Sequence, residues 1–174
     1  MSKELFLKTF ERSVGNEGGF QNDRNDRGNW TSGKIGVGEL KGTKQGISAM
    51  TYPDLDIINL TDCEIKDIYY RDWWVKLGMD RFRPAIAYQM FDAAINHGMS
   101  NASKMLQRAA SVADDGIIGP ITLGAIKDIE INDLLLRFLA YRLSFFTDIS
   151  TFDRYGRGWS RRISHNLILA SHDN

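Results

Sequence analysis

Apolar residues fall into helical periods that are broken by polar, glycine-rich stretches. Leu5, Phe6, Phe10 and Val14 recur at helical spacing until Gly15, Gly18 and Gly19 interrupt them, which predicts a first helix ending near residue 15. From Gln21 to about Pro53 the chain is rich in Gly, Asn, Asp, Lys and Thr, the composition of turns, with a small β-hairpin expected around Lys34 to Leu40. Thr61-Asp-Cys-Glu64 is a capping box, and Ile65, Ile68, Tyr69, Trp73 and Leu77 form the stripe of the helix it opens, with Gly78 as its stop. Pro84 suits the first turn of the next helix. Ile86, Met90, Phe91, Ala94 and Ile95 supply its buried face, and Gly98 closes it. Further helical patterns cover 102–112, 120–129, 133–147 and 158–170. The expected fold is mostly α (α+β), with a small loop-rich or β-hairpin lobe near residues 21–53 and a helical body.

Length and charge narrow the function classes. A chain of 174 residues supports one compact unit with a substantial core, and 43% hydrophobic with 25% charged residues is ordinary globular composition. Lys plus Arg and Asp plus Glu both number 22, so the molecule lacks the field of a protein that neutralises many phosphates, and nucleic acid is not the expected partner. Arg154, Arg157, Arg161 and Arg162 gather locally beside Tyr155 and Trp159. They read as a solvated helix face, the alternative being contact with an anionic polymer or lipid headgroup. Charges interrupt the N-terminal segment, so neither a signal peptide nor a membrane span is expected there, and the protein should be kept in the cytoplasm. Cys63 is the single cysteine, which rules out an internal disulfide, and it is expected to pack as a small hydrophobe. His97, His165 and His172 are too scattered for a metal motif, and His97 is expected to satisfy the last carbonyls of its helix. No metal or cofactor is implied.

The candidate chemistry lies in Asn16-Glu17-Gly18-Gly19-Phe20. A carboxyl directly after a helix feels the negative end of the helix dipole, and partial burial adds to that effect, favouring the protonated form that a general acid requires. The flanking glycines let backbone approach a bulky ligand. Asp26, in the polar loop that follows, is a second carboxylate able to activate water or stabilise a positively charged sugar, as glycosidic cleavage needs. Asp23 competes for that role, and both acids are also natural turn stabilisers. Farther on, Asp114-Asp115-Gly116-Ile-Ile-Gly119-Pro120 resembles a loop of peptidoglycan-binding helical modules, or is simply an interhelical turn.

Taken in order, Glu17-Gly-Gly-Phe20, Asp26-Arg-Gly28 and Thr43-Lys-Gln-Gly-Ile-Ser48 resemble the signature of glycoside hydrolase family 108, the phage N-acetylmuramidases. Phe91-Asp-Ala-Ala-Ile-Asn96-His-Gly98, Leu106-Gln-Arg-Ala109, Asp115-Gly-Ile-Ile-Gly-Pro120-Ile-Thr122 and Gly158-Trp159 resemble its helical C-terminal half, so the likeness spans nearly the whole chain. The resemblance implies a lysozyme-like fold and cleavage of the β-1,4 bond between N-acetylmuramic acid and N-acetylglucosamine. It makes Glu17 the acid, Asp26 the second carboxylate and Thr43 the hydroxyl that holds the nucleophilic water. The stretch between Gly28 and Thr43 is longer than in the family pattern, so Thr31 and Ser32 rival Thr43. Gln45 stands where an aromatic is common, which leaves Phe20, Trp30 and Tyr52 as the candidate sugar platform.

A catalytic part is expected over 1–82 and a peptidoglycan-binding-like helical part over 83–174. The expected role is that of a monomeric phage or prophage endolysin whose partner is the glycan strand. It would be held in the host cytoplasm and admitted to the periplasmic wall once a holin has permeabilised the membrane. Two rivals stand beside it: a lytic transglycosylase acting on the same bond, and a non-catalytic wall-binding or virion protein.

Overall fold

The computed structural model describes residues 2–15 and 19–173. Glu17, with Asn16 and Gly18, lies outside the described residues. The chain divides into two compact units, Met1–Asp72 and Trp73–Asn174.

The first unit opens with α1 (Ser2–Ser13), which ends in a turn where Gly15 takes a positive φ of 57° and its N–H bonds back to the Phe10 carbonyl. Phe6 and Phe10 are its buried face, and burying each such ring is worth roughly 1.5–3 kcal/mol. They meet α2 (Asp62–Tyr69) and the residue after it edge-on, Phe10 against Tyr69 and Phe6 against Tyr70, at centroid distances of 5.3 and 5.0 Å. The capping box on α2 forms as expected. Thr61 Oγ1 accepts from the Glu64 N–H, and Glu64 Oε2 accepts from the Thr61 N–H at 2.8 Å. Cys63, in the first turn of that helix, is exposed rather than packed, because the stripe beginning at Ile65 is the face turned inward.

Between α1 and α2 lies a three-stranded antiparallel sheet in chain order: β1 (Phe20–Gln21), β2 (Thr43–Lys44) and β3 (Ile47–Ser48). The hairpin joins β2 to β3 and does not fall at 34–40. There Gly33, Gly36 and Gly38 all take positive φ, a conformation that cannot extend a ladder, and the loop is closed by a single bridge from Trp30 to Leu40. The hairpin's two turn residues, Gln45 and Gly46, have φ of 45° and 81°, the sign pattern of the I′ turn that matches strand twist. The Tyr69 hydroxyl donates to the Gln45 carbonyl at 3.0 Å and lies where a Gly46 side chain would begin, fastening the hairpin tip to α2.

After Tyr69 the helix continues as a π turn over Tyr70–Val75. The wider turn advances the inward face by one position, so Trp74 rather than Trp73 is fully buried; its indole donates to Asp80 at 2.9 Å.

In the second unit, α3 (Pro84–His97) is buried on nearly every side. Around it pack α4 (Met99–Ala109), α6 (Ile131–Thr147) and α7 (Phe152–His172), while α5 (Pro120–Asp128) follows the 114–119 loop. The centre is polar. Asp92, 1% exposed, accepts from Arg142 Nη2 at 2.6 Å, Arg162 Nη2 at 2.5 Å and Asn166 Nδ2 at 2.8 Å, tying α3 to α6 and α7. Burial alone would raise this carboxyl, but the two guanidiniums reverse that and hold it down to about 2. Arg162 is thus an internal ion-pair partner and not part of a solvated face. His97 also departs from expectation: its Nε2 accepts from Arg142 Nε at 3.2 Å, while the Asn101 side chain bonds the His97 carbonyl at the helix end. Burial first, and then the Arg142 charge, pull the imidazole down to about 3, so the ring stays neutral.

Candidate functional site

Strand register decides which candidate residues share a face. Phe20 pairs with Lys44 and Gln21 with Thr43, and Thr43 pairs with Ser48. Because side chains alternate along a strand, Gln21, Thr43 and Ser48 lie on one face of the sheet and Phe20, Lys44 and Ile47 on the other.

The first face carries the polar cluster. Asp26 caps a short 3-10 turn over Arg27–Asn29 through a 2.8 Å bond from the Gly28 N–H to Oδ1, and Oδ2 accepts from Gln21 Nε2 at 3.2 Å. Asn29, 0% exposed, fills all four of its amide's hydrogen-bonding positions. Nδ2 donates to Gln21 Oε1 (2.8 Å) and to the Asp23 carbonyl (2.9 Å), and Oδ1 accepts from Gln21 Nε2 (3.1 Å) and Thr43 Oγ1 (2.7 Å). Three hydrogen bonds therefore connect the Asp26 carboxylate, through the Gln21 and Asn29 amides, to the Thr43 hydroxyl. That hydroxyl has committed its hydrogen to Asn29 and keeps lone-pair capacity for another donor, while Asp26 is exposed at the other end. Asp23 instead accepts from Asn25 and stabilises its own turn.

Thr31 and Ser32 are engaged elsewhere. Thr31 Oγ1 accepts from the Glu39 N–H at 3.0 Å, and Ser32 Oγ donates to the Val37 carbonyl at 2.7 Å while accepting from the Lys34 N–H. Both hydroxyls staple the inserted glycine loop shut.

The aromatic candidates are dispersed. Phe20, on the opposite face, lines a cleft of about 420 Å³ together with Asn22, Leu40, Lys41, Asp54, Asp56, Ile57 and Ile58. The Trp30 indole donates to the Arg24 carbonyl at 3.0 Å. The Tyr52 hydroxyl donates to Asp72 Oδ2 at 2.7 Å, and Arg71 grips the same carboxylate through Nε and Nη2. Burial, reinforced by that carboxylate, pushes the Tyr52 hydroxyl well above its ordinary value. Gln21 and Asn29 escaped the sequence reading because neutral amides in a polar loop carry no chemical signature. Only the Gln21–Thr43 register reveals that they connect Asp26 with Thr43.

Among the described residues, no group of three or more His, Cys, Asp or Glu could hold a metal ion, and no helix is long and apolar enough to cross a membrane.

Comparison with known proteins places this geometry. The family model described as glycosyl hydrolase 108 matches residues 10–98, a span that contains Glu17, Asp26 and Thr43, and a model described as a predicted peptidoglycan domain matches residues 101–164. No curated protein matches the chain. Among solved structures, that of Brucella abortus SagA is similar at 27% identity and a TM-score of 0.80, over 98% of this chain and 95% of that one. The mostly α fold with its small antiparallel sheet is lysozyme-like. Matched by the first model over half its length, and by the second over most of its helical remainder, the chain belongs to glycosyl hydrolase family 108 and is a peptidoglycan hydrolase of the muramidase type.

Proposed function

We propose that Glu17 protonates the glycosidic oxygen between N-acetylmuramic acid and N-acetylglucosamine, that Asp26 supports the sugar cation or deprotonates water, and that Thr43 positions that water. The observation that carries this reading is the hydrogen-bonded chain from Asp26 through Gln21 and Asn29 to Thr43. As the C1–O bond lengthens, the ring acquires oxocarbenium character and needs a nearby negative charge. The departing oxygen takes the Glu17 proton, a transfer worth roughly a hundred- to ten-thousand-fold in rate. Water donates one hydrogen to Thr43 Oγ1, whose own hydrogen is held by Asn29, and gives up its other to the Asp26 carboxylate as it attacks C1. Phe20 lines the cleft on the other face of the sheet from Thr43, so a pyranose face that stacks on its ring belongs to another sugar of the strand than the one attacked.

The division of labour extends along the chain, with a catalytic part over 1–82 and a wall-gripping part over 83–174. In biological terms the reading is a phage or prophage endolysin that acts as a monomer. It is held in the host cytoplasm and reaches the periplasmic wall once a holin has opened the membrane.

Mass spectrometry of purified peptidoglycan digested by the wild type and by Glu17→Gln tests the chemistry. Reducing N-acetylmuramic acid ends from the wild type, absent with the variant, are the expected outcome. Anhydro ends would make the enzyme a transglycosylase, and undiminished cleavage by the variant would remove Glu17 from the acid role.

A further inference from the structure

The surface of α7 carries a groove that the hydrolytic reaction does not use. It is about 450 Å³ in volume and is lined by Phe152, Asp153, Gly156, Arg157, Ser160 and Arg161. Gly156 is buried beneath the Phe152 ring, which lies 2.7 Å from where a β-carbon would stand, so the helix face is cut away at that point. Arg157 and Arg161 sit one turn apart on the same face, and both are exposed. Among the described residues neither guanidinium has an ion-pair or hydrogen-bond partner, in contrast with Arg162, which is spent on Asp92. Like charges at this spacing repel, and Asp153, one turn before Arg157, offsets only part of that repulsion, so an anionic ligand would remove the cost that remains. The groove is thus not purely basic.

We propose that this groove binds the peptide stem of peptidoglycan, Arg157 and Arg161 taking its carboxylates and Asp153 its side-chain ammonium. The inference rests on the wall-hydrolase reading and deepens it by naming the part of the polymer held. Charge complementarity selects the occupant. A peptide stem offers carboxylates and an amine within a few ångströms of each other, whereas the bare glycan offers no cation and a phosphate polymer or anionic lipid surface would be repelled by Asp153. The matched peptidoglycan domain runs to residue 164 and so includes the whole groove. Holding the stem anchors the strand independently of the bond to be cut.

The test is cosedimentation of the full chain with two wall preparations, intact sacculi and sacculi whose stems have been removed enzymatically, comparing the wild type with Arg157→Gln, Arg161→Gln. Losing two exposed charge pairs should weaken binding to intact sacculi by about tenfold. Stem-free glycan should bind both proteins equally, and free stem peptide should displace the wild type from intact wall. Equal binding of the two proteins to intact sacculi, or the same loss on stem-free glycan, overturns the proposal. So does variant-sensitive binding to phosphatidylglycerol vesicles in the absence of a stem effect. Soluble sugar ends measured in the same tubes report on hydrolysis separately, so a protein that binds stems without cutting would refute the muramidase chemistry and leave the groove standing. Circular dichroism of the double variant should match that of the wild type, since both substitutions are exposed.

Discussion

Asn29→Asp exchanges one heavy atom at the centre of the candidate site. The amide nitrogen donates at 2.8 Å to Gln21 Oε1 and at 2.9 Å to the Asp23 carbonyl, so an oxygen in its place confronts two acceptors from a fully buried position. If the new carboxyl keeps its proton, one of the two bonds survives and the cost is one unmade hydrogen bond, about 1–3 kcal/mol. Ionising it loses both bonds and places a charge out of water against oxygen lone pairs, so its pKa in the folded protein lies above the ordinary value. A carboxyl raised in this way is least costly to the fold below its unfolded pKa, and the penalty grows as pH rises through the folded value; an elevation of two units adds about 2.7 kcal/mol. Calorimetry of variant and wild type at pH 4 and pH 8 should show a deficit of several degrees at the lower pH that roughly doubles at the higher one. Clearing of a wall suspension should fall with it, because the Oδ1 that accepts from Thr43 is no longer held in place by the two Nδ2 bonds. A deficit equal at both pH values, or smaller at pH 8, would refute the reasoning that Asn29 is held by its donors.

Four further outcomes follow from the geometry. Thr43→Val should lower the initial rate of wall hydrolysis by about a hundredfold with little change in Tm, whereas Thr31→Val, which unstaples the glycine loop, should lower Tm and spare the rate; the reverse pattern would transfer the water-holding role. Asp92→Asn leaves Arg142 buried without a counter-charge and should cost about 3–5 kcal/mol in urea unfolding, with Arg162→Met costing less because Arg162 is partly exposed. Because His97 is pulled from its ordinary 6.5 down to about 3, the unfolded chain binds the extra proton between those values, so stability should climb as pH rises across that window, and His97→Gln should flatten the climb in urea titrations. Gln45→Asn should raise stability by about 0.5 kcal/mol, since asparagine tolerates the positive φ that glutamine resists at the hairpin tip, and an unchanged urea midpoint would count against an I′ turn.

Much of the fold could be read directly from the chain. The capping box at Thr61, Pro84 at the start of α3, and Gly15, Gly78 and Gly98 at helix ends act locally, so the residues that signal them are the residues that do the work. What escaped was set by longer reach. The π turn after Tyr69 exchanges Trp73 for Trp74 because a single wide turn breaks the period that a stripe assumes. The helical pattern over 158–170 placed the start of α7 too late, since the helix begins at Phe152, whose ring packs over the helical Gly156. The hairpin was displaced because glycine frequency marks turns without saying which of them closes a ladder. At the site, Asp26 and Thr43 were legible as chemistry-bearing side chains. Gln21 and Asn29 were not, and neither was the separation of Phe20 from Thr43 across the sheet, since both depend on strand register. The Arg162–Asp92 pair joins residues seventy positions apart, a distance over which charge patterning is silent.

The Asp92 hub also sets a schedule for biosynthesis. Its carboxylate collects bonds from α6 and from two turns of α7, so a ribosome that has released α3, α4 and α6 has made a chain whose central acid is paired with Arg142 but still lacks its Arg162 and Asn166 donors. The helical unit closes when Asn166 arrives. A chain truncated before α7 lacks these two donors to a buried carboxylate and should therefore be cleaved by proteases more readily than the full chain.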